Sequence, residues 1–287
     1  PQVAGDTLPD VIVEVRDAAG NVATDFTGVV NGRIFTGPNG PDPDSIPVTA
    51  VAGVATFTGA TFESAGDYTL RFNTLGLPDI FSGTITVSAA PASQMNVVGG
   101  NGQTGVTGQP LPVPVDVRIQ DPFFNDVSGV PVSWVMLRGV DTLAVNASAS
   151  AVNGLASWQP VLPTTVGPVQ IVATSAGLVN SPITVIANVV GDATTQLTMF
   201  TQPVAGTALA PLATSRVRAL DQYGNFKTVF TDNVTAAVDS GPAGAVLSGT
   251  TTVAAVGGEA AFSTLALDLP GTYRLRYFTA GLTTAVS

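Results

Sequence analysis

Leu8–Val22 reads LPDVIVEVRDAAGNV, and the same arrangement recurs as LPVPVDVRIQDPFFNDV over Leu111–Val127 and as LATSRVRALDQYGNF over Leu212–Phe226. In each, apolar residues alternate with others, then come an Asp, three residues and an Asn. The pairs are Asp17/Asn21, Asp121/Asn125 and Asp221/Asn225, recurring about 100 residues apart. A period of two is that of a strand with one face turned inward, so Val11, Val13 and Val15 predict a half-buried strand. The Asp-x-x-x-Asn element predicts the turn that ends it. Asp and Asn side chains bond to nearby backbone, and Gly20 and Gly224 supply a positive φ.

Working outward, three further segments repeat in the same order. The first is GVATF at Gly53–Phe57, GLASW at Gly154–Trp158 and GEAAF at Gly258–Phe262. The second is AGDYTLRF at Ala65–Phe72, VGPVQIVA at Val166–Ala173 and PGTYRLRY at Pro270–Tyr277. The third begins at Leu75, Ala176 and Ala280. Tyr68, Leu70 and Phe72 share one face of a strand, as do Tyr273, Leu275 and Tyr277, and the first tyrosine of each set is placed to bond back to the chain at a sandwich corner. Trp134, in GVPVSW at Gly129–Trp134, suits a sandwich core, and Trp158 takes the place of Phe57 and Phe262.

Short strands with turn signals every 8–12 residues, in units of about 100, predict an all-β chain of three tandem immunoglobulin-like β-sandwich domains in an elongated array. The units fall at 1–89, 90–190 and 191–287, with short polar joints at Ser88–Gln94 and Val190–Gln196 that predict limited bending. The pattern leaves the first copy without its opening strand and stops the third where its last strand begins, as in a segment of a longer array.

Composition narrows the function. The 287 residues are 45% hydrophobic and 10% charged, with 31 Gly and 21 Pro, which fits many short buried strands and turns rather than helices. No run approaches the 18 apolar residues of a membrane span. A net charge of −10 and no basic cluster argue against nucleic acid or anionic lipid as partners, and the scattered acids read as solvated. There is no His and no Cys. That removes Ser-His-Asp and Cys-His catalysis, disulfides and thiolate metal sites. No pair of carboxylates stands out for general acid–base work. The chain reads as non-enzymatic.

These segments resemble the bacterial immunoglobulin-like (Big-type) tandem repeats of large cell-surface and adhesin proteins. The third unit carries the resemblance in Phe200–Pro203 (FTQP), Asp221–Asn225 (DQYGN), Gly249–Val253 and Gly258–Phe262, and the second in Gly129–Trp134. The resemblance implies an extracellular, cell-surface setting and a spacer, stalk, coat, filament or adhesin segment, with neighbouring repeats or other copies of the same protein as partners. A binding module for a glycan or protein, or a virion fibre or decoration protein, is the alternative.

Calcium is the one cofactor left open. Oxygen ligands are available at Asp17, Asn21 and Asp25, at Asp121, Asn125 and Asp126, and at Asp42 and Asp44, although a plain Asx turn accounts for the same residues. Candidate contact surfaces are Phe123 and Phe124, adjacent in a turn where the other copies have Ala-Gly and Tyr-Gly, and the loop Gly37–Ile46 (GPNGPDPDSI) with Asp42 and Asp44. Exposed edge strands are a further device for assembly.

Overall fold

The computed structural model describes residues 2–150 and 152–287. It is an all-β chain of three immunoglobulin-like sandwiches in tandem. In the first unit the strands are β1 (Gln2–Val3), β2 (Val11–Glu14), β3 (Val29–Thr36), β4 (Ile46–Thr49), β5 (Val54–Phe57), β6 (Gly66–Asn73), β7 (Ile80–Phe81) and β8 (Ile85–Ser88). One sheet runs β1-β8-β6-β3-β4, with β7 also on β6, and packs against the pair β2-β5.

The second unit has β9 (Gln94–Gly99), β10 (Thr104–Val106), β11 (Val115–Gln120), β12 (Pro131–Arg138), β13 (Asp141–Ala149), β14 (Leu155–Trp158), β15 (Gly167–Thr174) and β16 (Ile183–Val190). Its sheets are β10-β16-β15-β12-β13 and β14-β11-β9. The glycine-rich stretch Gly99–Gly108 contributes β10, paired parallel to the end of β16.

The third unit has β17 (Thr194–Thr201), β18 (Ser215–Asp221), β19 (Asn233–Ser240), β20 (Leu247–Ser248), β21 (Thr252–Ala254), β22 (Glu259–Phe262), β23 (Ala266–Leu267), β24 (Arg274–Phe278) and β25 (Ala285–Val286). Its sheets are β17-β18-β22 and β21-β19-β24-β25, with β20-β23 as a side pair.

Alternation sets the cores. In β11, Val115, Val117 and Ile119 are buried; in β15, Val169, Ile171 and Ala173; in β16, Val185, Ala187 and Val189. These close around Trp134, whose indole Nε1 donates to Ser148 Oγ at 2.8 Å, so the ring is buried without an unpaired donor. Trp158 is half-buried beside it, with ring centroids 6.1 Å apart. The third unit centres on Phe262 and Tyr277, 5.2 Å apart. The first has two smaller clusters, one around Phe57 and Phe72 and one around Phe62 and Tyr68. The corner tyrosines bond as their position predicts: Tyr68 Oη donates to Ser64 O at 2.7 Å and Tyr273 Oη to Leu269 O at 2.8 Å. Among the described residues no helix is long and apolar enough to cross a membrane.

Removing the indole at the centre of the second core leaves a large cavity. Trp134→Ala is expected to destabilise that unit by about 3–5 kcal/mol, read as an early first transition in chemical denaturation followed by Trp158 fluorescence.

Candidate functional site: the clasps between units

The Asp-x-x-x-Asn turn does more than end a strand. In all three units it closes the same way: the Asp N–H donates to the Asn carbonyl, at 2.8 Å for Asp17 and 3.0 Å for Asp121 and Asp221. One carboxylate oxygen accepts from two amides of the turn, at 2.9 Å in every case: Ala19 and Asn21, Phe123 and Asn125, Tyr223 and Asn225. The residue before the Asn needs a left-handed φ, and Gly20, Phe124 and Gly224 have φ of 90°, 67° and 84°.

In the second and third units this turn lies against the unit before it. Asn125 reaches into the loop preceding β6: its Nδ2 donates to Glu63 O at 2.6 Å and its Oδ1 accepts from Ala65 N at 2.8 Å. Asn225 repeats the contact one unit further on. Its Nδ2 donates to Thr164 O at 2.8 Å and its Oδ1 accepts from Val166 N at 3.4 Å. A side-chain amide thus takes the place of a peptide group and pairs with both partners, as a strand neighbour would.

The second carboxylate oxygen ties down the linker. Asp121 Oδ2 accepts from Ala90 N at 2.9 Å and Asn125 Nδ2 at 2.8 Å; Asp221 Oδ2 accepts from Asp192 N at 3.1 Å and Asn225 Nδ2 at 2.9 Å. Both aspartates are fully buried, and four donors around each satisfy the carboxylate. This corrects the reading of all acids as solvated: these two are buried because backbone N–H groups replace their water. Lys227 Nζ adds a bond to Gly191 O at 2.8 Å in the second joint.

Apolar contact completes each clasp. Phe123 packs on the cluster of Leu8, Phe62 and Tyr68 in the first unit. Gly5, at φ 84°, passes so close beneath its ring that a Cβ there would collide with it. Gly108, at φ 71°, passes equally close under Tyr223. These glycines serve both a left-handed backbone and a close approach.

The other sequence candidates lie apart from the joints. Phe124 points outward and is 68% exposed. Asp42 and Asp44 are exposed in their loop, where Asp44 N bonds to Asp42 Oδ1 at 2.9 Å. Asp17, Asn21 and Asp25 are exposed on the first unit. Asp126 is exposed and meets Gln120 Nε2 at 3.3 Å. Among the described residues no three His, Cys, Asp or Glu groups converge as a metal cluster. Missed by the sequence reading were the receiving groups, Gly5, Glu63 and Ala65 and then Gly108, Thr164 and Val166. Their only signal was the glycine shared by AGDTL and TGQPL.

No protein-family model matches this chain, and no curated protein matches it. Among solved structures, invasin, a bacterial integrin-binding protein, aligns at 14% identity over 96% of this chain and 54% of its own, with a TM-score of 0.43. The Escherichia coli adhesin FdeC aligns at 15% identity over 99% and 86%, with a TM-score of 0.44. A β-glycosidase from Bacteroides vulgatus aligns at 10% identity over 68% and 24%, with a TM-score of 0.32. The chain spans about half the length of the solved invasin chain. The fold assignment rests on the strand order given above.

Asn225→Ala removes both bonds to the second unit and one donor from buried Asp221. It is expected to weaken that joint by about 1–3 kcal/mol and to broaden the inter-unit distance distribution measured between spin labels on the second and third units. Gly108→Val, which combines a β-branched side chain at positive φ with a collision at Tyr223, is expected to do the same.

Burial pushes the Asp221 carboxyl up, but hydrogen bonds from Asn225, Tyr223 and Asp192 outweigh this and hold it below its ordinary value. The closed joint therefore favours the ionised form. Its contribution is complete above about pH 4, the ordinary aspartate value, and is lost as pH falls through the lowered one. The same spin-label distances are expected to stay narrow at neutral pH and to broaden on acidification below about pH 4.

Proposed function

We propose that this chain is a non-enzymatic, stiffened spacer of an extracellular bacterial-type surface protein, an adhesin stalk or filament segment that holds a binding element away from its anchor. The observation that carries this reading is the repeated clasp. Two successive joints use the same residues in the same roles: each buries an aspartate that ties its turn to the linker, and each turn's asparagine bonds two backbone groups of the unit before. A protein whose units needed to swing freely would gain nothing from burying a carboxylate at each hinge. The lack of His and Cys supports the non-enzymatic part of the reading, and the low charge density suits a chain lying among copies of itself at a surface.

A strand rises about 3.3 Å per residue, so three sandwiches end to end give a rod on the order of 100 Å. Small-angle scattering of the whole chain is expected to show a single extended dimension of that order. With Asn125→Ala and Asn225→Ala together, the same measurement should show a shorter and broader distribution of lengths while circular dichroism stays unchanged. Wild-type scattering that already fits freely jointed units would sink the spacer reading. Immunogold labelling of the source cells with antibody to this segment should mark surface projections.

A further inference from the structure

The three units differ at the sheet edge formed by the strand beside β3, β12 or β19. In the first unit this strand is β4, four residues paired with β3. Ala50 N donates to Gly28 O at 3.0 Å, and alternation from that bond turns Pro47, which has no N–H to offer, toward the open side. In the third unit it is β21, only three residues long. Short strands and proline are devices that keep an edge from pairing. The second unit has neither. Its edge strand is β13, nine residues from Asp141 to Ala149, with no proline and no charge after Asp141.

β13 lies along β12 on one side and, among the described residues, has no strand on the other. The register shifts between Met136 and Leu137 but is unbroken where Pro131–Met136 lies opposite Ala149–Ala144. Ser150 N donates to Val130 O at 2.7 Å, so alternation turns the N–H and C=O groups of Val145 and Ala147 away from β12. Both residues are exposed, Val145 at 69%, although the units before and after are in place. On the core side Ser148 holds the Trp134 indole; on the outer side Val145 stands in a row with Val135 and Val172. No charged residue occurs from Thr142 to Gly191, a stretch that includes β13, β15 and β16. The net charge of −10 therefore sits elsewhere, and at this edge two copies of an acidic chain can approach without bringing acids together.

We propose that β13 pairs antiparallel with β13 of a second copy and so joins two chains that point in opposite directions. Centred on Asn146, this register sets Val145 opposite Ala147 of the second copy and Ala147 opposite its Val145. The same patch then serves both copies, and the contact closes on itself. The outward N–H and C=O groups pair at both positions, the uncharged outer faces become continuous, and the two Asp141 side chains fall at opposite ends. Oppositely directed chains meet when they project from facing surfaces, whereas chains rooted side by side in one surface point the same way. The contact is therefore homotypic and bridges surfaces. That setting rests on the surface-spacer reading; the pairing itself and the length of the single chain are measured separately.

Sedimentation of the whole 287-residue chain is expected to show a monomer–dimer equilibrium that tightens with salt, as repulsion between acidic chains is screened. Amide exchange at Val145 and Ala147 should slow as protein concentration rises. Fluorescence energy transfer should be strong between copies labelled on the first unit and copies labelled on the third, and weak between copies all labelled on the first. Val145→Lys should weaken the dimer at least about tenfold. Ala147→Pro, which removes an outward N–H and no bond to β12, should abolish it, and both variants should keep the melting midpoint. The proposal is overturned by a chain that stays monomeric at all concentrations, by a dimer that neither variant weakens, by a dimer that salt dissociates, or by strong transfer between like-labelled copies, which would make the pairing parallel. Scattering at low concentration then still reads the length of the single chain, so the spacer reading stands or falls by itself.

Discussion

A buried carboxylate with no room for water organises the joints. Asp121 and Asp221 are each sealed from solvent, and an ion in that position must collect donors or neutralise. The donors come from three separate places: the amides of its own turn, the Asn four residues on, and the linker that leads into its unit. Satisfying one side chain therefore fixes the turn, the asparagine rotamer and the path of the linker together. The asparagine, held by the aspartate through one amide hydrogen, presents its remaining hydrogen and its oxygen to the preceding unit. The joint is held by these completed local hydrogen bonds together with the aromatic contacts of Phe123 and Tyr223.

The division between what was legible and what was not follows sequence distance. Alternation in Val115, Val117 and Ile119 announces a strand and its buried face within six residues, and the recurrence of four segments announces three sandwiches. The Asx turn was also visible, because the bonds that close it run between residues two to four apart. Its second role was not. Asn125 meets Glu63 and Ala65, and Asn225 meets Thr164 and Val166, through backbone groups that any residue except proline in the donor place could supply. A partner that contributes only peptide groups leaves no trace in composition or pattern. The same limit explains the misreading of the acids: Asp17 and Asp121 both open an Asp-x-x-x-Asn turn, and Asp121 is buried among groups far from that turn in sequence, such as the linker amide of Ala90.

In the first unit the turn is closed by bonds among its own residues. Asp17 makes the same two bonds to its turn amides, yet among the described residues its Oδ2 has only a long contact of 3.4 Å to Asn21 Nδ2. Hydrogen bonds from Asn21 still hold the carboxyl below its ordinary value. The bonds that close the turn are thus internal to it in all three units, and the contacts across a joint add to them. Preorganisation of this kind lowers the entropic cost of closing a joint, which lets a clasp of a few hydrogen bonds hold two sandwiches in register.

The clasp also has a direction, and the far end of the third unit lacks its receiving side. Gly5 N, Gly108 N and Leu209 N make equivalent bonds, to Phe62 O, Pro163 O and Leu267 O, and all three residues have positive φ, at 84°, 71° and 65°. Where the first two units keep a bare backbone for the aromatic of the next turn, the third raises a leucine side chain that is 76% exposed. The residue after the acceptor of the corner tyrosine is Ala65 in the first unit and Pro270 in the third, by the bonds of Tyr68 and Tyr273. Ala65 donates its N–H to Asn125; Pro270 has none to donate. An Asp-x-aromatic-x-Asn turn brought to this end would find its amide missing and its aromatic seat blocked. The two changes fall on the two groups that both formed joints use, so this end of the third unit presents a chemically different surface from the corresponding ends of the first two.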